Sequence, residues 1–342
     1  MSARRDRGRS GIVLLIVLFF VLLLTTSVAT FARRAVVDNL VARHRDAARE
    51  AEALARGGVE LAKALLIEDR LSEASDSWRV ESADEPWALA AGVPFRTESD
   101  AVLRLQILDA GSRFNLNALF AKGELRDPQA VVLLSTLIEK VVDEMPGRAE
   151  DKIYDPAELA ANLVDFVDVD AASLTSGGFE DDVYQRADPP YRAPNQPLLS
   201  LDDLRLVDGF DGVLVEALRP YLTVFPYVGG EGINPNTAPP HVLGLLYHGV
   251  SDEYRLADAD QVRDLLEARE RGDLWCAEDA SHEGCRPLAE VLPGTVFPPP
   301  TFSTAVFTVI ARATVGEVTR TVEAVLDRRE IASPVVVDWR TR

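Results

Sequence analysis

The sequence predicts an α+β protein carried on one long N-terminal helix, with a small antiparallel β-sheet domain and a large helical domain inserted into it. Three observations predict this. Residues 12–32 run 21 positions without a charge and continue, with no proline before Pro86, into a stripe of helical period. Alternating apolar and polar residues mark strands only at 102–108 and again beyond residue 304. The long stretch between them reads as helix, the pattern of a domain inserted into a connection of another.

The uncharged run is long enough to span a bilayer core. Arg4, Arg5, Arg7 and Arg9 stand before it against Asp6, a local charge of +3, and the rest of the chain carries −22 of the total −19. That asymmetry predicts a cytoplasmic N-terminus and an exported body. A cleaved secretory signal is the competing reading, with small residues near Thr30-Phe31-Ala32. The run is long for a signal, however, and no helix breaker follows it. Apolar residues recur at Val37, Leu40, Val41, Ala47, Ala48, Ala51, Leu54, Ala55, Val59, Ala62, Leu65 and Leu66. A single helix over 12–70 would reach about 85–90 Å at ~1.5 Å per residue.

Residues 72–110 open the sheet domain. Pro86-Trp87 and Pro94-Phe95 break regularity, the strand 102–108 follows, and Asp109-Ala110-Gly111 turns it. Residues 111–300 form the inserted domain, with helices expected at 129–144, 156–167, 202–207, 212–218 and 259–271 and no strand. Residues 301–342 complete the sheet. Strands at 304–314 and 318–327 flank Gly316-Glu317 as a hairpin, and 335–339 adds a last short strand.

A body this acidic repels phosphate backbones and excludes nucleic acid as the expected partner. Two segments echo each other, Phe114-Asn115-Leu116-Asn117-Ala118-Leu119 and Ile233-Asn234-Pro235-Asn236-Thr237-Ala238. The second has the look of a helix-hairpin-helix opening, but no basic cluster follows Ala238, so the asparagines read as caps of helix starts. Cys276 and Cys285, nine positions apart, either close a small loop in an oxidising compartment or remain free thiols. His44, His241, His248 and His282 are scattered, and no zinc-protease, nucleophile-elbow or phosphate-loop motif is present. A peptidoglycan-acting pair of carboxylates is the nearest enzymatic reading, and the clustering of the acids disfavours it. The chain reads as a binding and assembly protein, not an enzyme.

The chemically densest stretch is 165–195, DFVDVDAASLTSGGFEDDVYQRADPPYRAPN. Seven carboxylates in 24 residues repel one another without a counter-ion. Asp168 and Asp170 point the same way on an extended segment, and Gly177-Gly178 let the chain return Glu180, Asp181 and Asp182 beside them. Such an oxygen set suits a hard cation, although the spacing is not that of an EF-hand.

Residues 1–11 resemble the leader of type IV pilins and type II secretion pseudopilins, with cleavage after Gly11 and Ile12 as the mature first residue. The fifth mature position, Glu in most of that family, is Ile16. Among pseudopilins that departure resembles the K-type minor subunit. So does the order of FNLNAL, D-x-D, Gly178-Phe179-Glu180-Asp181-Asp182-Val183-Tyr184, Pro189-Pro190-Tyr191-Arg192 with Asn195, and the turn INPNTA. The resemblance implies a minor pseudopilin at the tip of the type II secretion pseudopilus, processed by prepilin peptidase. It implies a single-pass inner-membrane protein with a periplasmic body. Its partners would be I- and J-type minor pseudopilins, other pseudopilins and the inner-membrane assembly platform. It also implies two calcium ions, carried to Asp168, Asp170, Glu180, Asp181 and Asp182, with Asp165, Asp188 and Asn195 as second choices. A type IV pilus tip pilin or adhesin, and a DNA-uptake pseudopilin, are the alternatives.

Overall fold

The computed structural model describes residues 9–72, 80–146, 153–175, 178–250, 253–277, 284–330 and 333–342; the start of the basic leader, Gly177 and His282 lie outside them. Helix α1 (Arg9–Ser72) is one unbroken helix of 64 residues, about 95 Å long at ~1.5 Å per residue. Its first part is fully exposed, and it is long and apolar enough to cross a membrane. The stripe that follows divides into two. Val37, Leu40 and Val41 are exposed, whereas Ala51, Ala55, Val59, Ala62 and Leu66 are completely buried under a β-sheet.

That sheet has the order β1-β2-β3-β4-β5, antiparallel throughout. Its strands are β1 (Phe95–Arg96), β2 (Val102–Asp109), β3 (Val306–Val315), β4 (Val318–Asp327) and β5 (Val335–Thr341). Alternation puts Leu103, Leu105, Ile107, Phe307, Val309, Ala311, Val322, Ala324 and Leu326 on the face that meets α1. The contact is close because the helix offers small residues. A Cβ on Gly58 would lie 2.9 Å from Ala311 Cβ and 3.0 Å from a Leu103 methyl. Val315 pairs with Val318 around Gly316, whose φ of +58° suits a two-residue hairpin turn.

Between β2 and β3 lies the rest of the chain, which builds a separate core. Helices α2 (Gln129–Glu144), α3 (Pro156–Val167), α4 (Gly212–Leu218) and α5 (Ala259–Glu270) enclose Leu133, Leu137, Leu163, Phe166, Leu214 and Trp275. The expectation of no strands here fails. Tyr247–Val250 pairs with both Glu253–Leu256 and Thr295–Phe297, and Leu274–Cys276 runs parallel to Cys285–Pro287. These runs are three or four residues long and find partners up to about fifty positions away, too short for a periodicity to show. The expected helix at 202–207 is a six-residue 3₁₀ turn, Leu201–Leu206. Cys276 and Cys285 are bonded across the parallel pair, with Cα atoms 5.8 Å apart.

The echoing asparagine turns share one construction. Asn115 and Asn234 each accept a hydrogen bond from the backbone N–H two residues on, at 3.0 Å, and so cap their own turns. Asn117 then bonds Leu198 through both ends of its amide (2.9 Å each), and Asn236 does the same with Trp275 (2.9 and 2.8 Å). Both turns are buried and spent on internal bonds, so the phosphate-cradling reading of Asn234 and Asn236 fails.

A buried charge locks the two ends of the fold together. Arg328, 1% exposed, donates to Asp69 on α1 at 2.5 Å and to Glu81, and stacks its guanidinium 4.5 Å from the Phe307 ring centroid. Burial pushes the Glu81 carboxyl upward, and Arg328 pulls it back. Removing one member of such a group leaves buried charge uncompensated. Replacing Arg328 with Ala should destabilise the protein by about 3–5 kcal/mol in denaturant melts of the detergent-solubilised chain.

Candidate metal centre

The acidic loop starts where α3 stops. Asp155 caps the helix by accepting from Ala157 and Glu158 (3.0 and 3.1 Å), and Pro156 fits its first position. The inward face then buries Leu159, Leu163, Phe166 and Val167 in the helical core. At Asp168 the backbone turns extended while its N–H still bonds Val164 O, which brings the carboxylates out of the helix end one after another.

The chain then doubles back, as the glycines suggest. Ala172 bridges Phe179 antiparallel, Ser173 N–H donates to Gly178 O at 3.1 Å, and Glu180 N–H to Ala171 O at 3.4 Å. This return sets Glu180, 4% exposed, against Asp168 and Asp170, with carboxylate oxygens of the three within 4.8 Å of one another. An aromatic layer fixes the return to the core. Tyr184 meets Phe166 edge-on at 5.7 Å, Tyr191 packs on Tyr184 at 5.2 Å, and Tyr191 O–H donates to Leu206 O at 2.6 Å.

Asn195 completes the group. It sits in the left-handed region (φ 44°), a conformation that asparagine tolerates better than most residues. From there its Nδ2 donates to Asp170 O at 2.6 Å and to Glu180 Oε2 at 3.3 Å. The amide oxygen is thereby left facing inward. Asp168 Oδ1, Glu180 Oε1 and Asn195 Oδ1 are all buried without a hydrogen-bond partner. Three unsatisfied buried oxygens in one place are costly as they stand, and their chemistry fits a hard cation such as Ca²⁺.

Electrostatics gives the same picture. Burial, then Asp170 and Asp165, push the Asp168 carboxyl up to about 6. Burial, then Asp168 and Asp165, push Glu180 up to about 7. Asp165 is also raised, chiefly by burial, although it accepts the Leu174 N–H at 3.0 Å. The remaining expected ligands stand elsewhere. Asp181 accepts from Ala193 N–H at 3.1 Å and lies 3.7 Å from Arg192, holding the proline-rich segment in place. Asp182 and Asp188 are exposed. Among the described residues a second acidic group gathers at Asp69, Glu81 and Glu85, but Arg328 already fills it, and Glu85 accepts from Ser82 N–H and the Trp87 indole.

The family described as "Type II secretion system (T2SS), protein K" matches residues 112–227, a span that contains the whole acidic group. Type II secretion system protein K of Klebsiella pneumoniae is 33% identical over 223 residues, covering 64% of this chain and 63% of that protein. The protein of the same name from Pseudomonas aeruginosa is 28% identical over 285 residues, 80% of this chain and 76% of that one. The fold is similar to that in the crystal structure of the GspK–GspI–GspJ complex of enterotoxigenic Escherichia coli. That match has a TM-score of 0.61 at 20% identity and covers 88% of this chain and 99% of the other.

The raised carboxyls set the pH behaviour of the cation-free protein. Asp168 and Glu180 hold protons in the folded state to about 6 and 7, against 3.8 and 4.5 for the free groups. Across that window the folded state binds more protons than the unfolded one, so stability falls as pH rises. Melting temperature in excess chelator should therefore drop between pH 5 and pH 8, and added Ca²⁺ should flatten the slope.

Proposed function

We propose that this chain is a member of the type II secretion system protein K family and works as a minor pseudopilin at the tip of the pseudopilus. The observation that carries this reading is α1, an exposed apolar helix that runs without interruption into the core of the sheet domain. A helix of this kind anchors the body and lets a sister helix pack beside it, first in the membrane and then in a filament. The exposed residues Val36, Val37, Leu40 and Val41 extend that packing surface beyond the bilayer. The family is one of secretion-system components, not of enzymes.

Orientation follows from charge: the arginines before the apolar run stay in the cytoplasm and the acidic body lies in the periplasm, at the inner membrane. Prepilin peptidase would cut after Gly11, leaving Ile12 as the first residue. Ile16 supplies no carboxylate for the N-terminal amine of a neighbouring subunit, which fits a subunit with nothing above it. The large helical domain between β2 and β3 fits the same place, because its bulk would block further stacking. The complex named for GspK, GspI and GspJ supports I- and J-type minor pseudopilins as partners. Co-purification from membranes is the test: the chain should bring down both sister subunits, and its deletion should stop secretion. A chain that captures neither, with secretion intact in the deletion strain, overturns the reading.

Calcium belongs to the same proposal. Asp168, Asp170 and Glu180 would hold the ion with the amide oxygen of Asn195, and Asp165 would stand behind them. The ion's charge would offset the repulsion among these carboxylates. Its structural effect would be to hold the 168–195 loop against the aromatic layer on α3. Asp168→Asn with Glu180→Gln should abolish heat of Ca²⁺ binding and the accompanying rise in melting temperature, whereas Asp182→Asn should leave both intact. Calorimetry on the full chain in detergent also gives the number of ions.

A further inference from the structure

The outer face of the sheet, turned away from α1, carries a charge pattern at odds with the rest of the chain. Arg104 on β2 and Arg312 on β3 are direct cross-strand partners. Their neighbours Leu103, Leu105, Ala311 and Ala313 are buried against α1, so both arginines project from the opposite face, where they are exposed. Arg312 also faces Thr321 on β4, and Thr321 exchanges both backbone hydrogen bonds with Arg342 at 3.0 and 2.8 Å. The result is a row of three arginines across four adjacent chain segments.

Among the described residues, Arg342 reaches Glu323 at 3.8 Å, and no ion pair engages Arg104 or Arg312. Glu323 must also serve Arg113, which is half-buried in the adjoining cleft of about 480 Å³ between the sheet and the helical domain. Like charges directly opposite on adjacent strands are destabilising. A chain with 55 acidic residues against 36 basic ones has carboxylates in excess, yet on this face the register sets only Glu323 near the pair, diagonal to Arg312 and shared with Arg342 and Arg113.

We propose that the Arg104–Arg312–Arg342 row is a docking surface for an acidic segment of another protein, whose carboxylates provide the counter-charges missing there. Guanidinium groups suit this role because each can take a carboxylate in a two-pronged hydrogen bond. A lipid headgroup is out of reach. Gly58 of α1 lies against Ala311 and Leu103, which puts the row about 40 Å beyond Ala32 at ~1.5 Å per helical residue, far past a screening length of about 10 Å. A long phosphate polyanion is disfavoured by the acidic body on either side, whereas a short acidic segment needs only this patch. The proposal stands apart from the assembly reading above, since it concerns a face that α1 does not use.

The test uses the full chain in detergent and a fluorescent deca-glutamate peptide, with a deca-thymidylate of similar charge as comparison. The peptide should bind the wild type at low salt, and Arg104→Gln with Arg312→Gln should weaken it by about tenfold, the loss expected of two partly solvated ion pairs. The double variant should melt no lower than the wild type, because it removes a repulsive pair. Absence of peptide binding, equal binding to the variant, or tighter binding of the oligonucleotide would each overturn the proposal. So would a lower melting temperature, which would make the pair part of the fold.

Discussion

The structure depends on how Arg328 is buried. Its guanidinium reaches Asp69 at the end of α1, Glu81 in the segment leading to the sheet, and the Phe307 ring on β3, and so joins parts of the chain more than 240 positions apart. Glu81 extends the junction through its backbone. Its N–H donates to Phe302 O at 2.8 Å, and its carbonyl accepts from the Asn234 amide at 3.3 Å. The helix end, the sheet, the exit of the inserted domain and its turn at 233–238 therefore meet at one desolvated charge. Hydrophobic burial of α1 supplies the larger driving force, but the ion group gives the helix a fixed register on the sheet.

Asp109 continues the junction. It is 2% exposed and raised by burial, and it accepts from Gly111 N–H, Asn234 Nδ2 and Thr237 O–H at 2.6–2.8 Å. It thus closes the entry of the inserted domain onto the turn at 233–238. The two cores share few apolar side chains, so their relative position rests on these hydrogen bonds. The asparagine turns repeat the device inside the helical domain, each tying its own cap to a distant backbone.

Charge is handled in three distinct ways along the chain. At Arg328 opposite charges are buried together. In the 165–195 loop like charges are gathered with oxygens unsatisfied, which suits an added cation. On the outer sheet face Arg104 and Arg312 oppose each other with no ion pair among the described residues, in an acidic protein. The first case stabilises the isolated chain. The other two leave it incomplete, and such local cost usually marks places where something else binds.

Much of this was legible from residue order alone. The single helix, the strand patterns at β2, β3 and β4, the Gly316 hairpin and the acidic loop all come from periodicity, turn chemistry or composition, which act between near neighbours. Asp168, Asp170 and Glu180 could be paired on paper because the chain returns within a dozen residues. The three-stranded sheet at 247–256 and 295–297 could not, since runs of three or four residues carry too little pattern. Nor could the inward amide of Asn195, the lock at Arg328, or the meeting of Arg104 with Arg312. Those were decided by tertiary structure, because the partners lie from 15 to more than 200 positions away. Local periodicity fixes which way a side chain points, and only the folded path decides what it meets there.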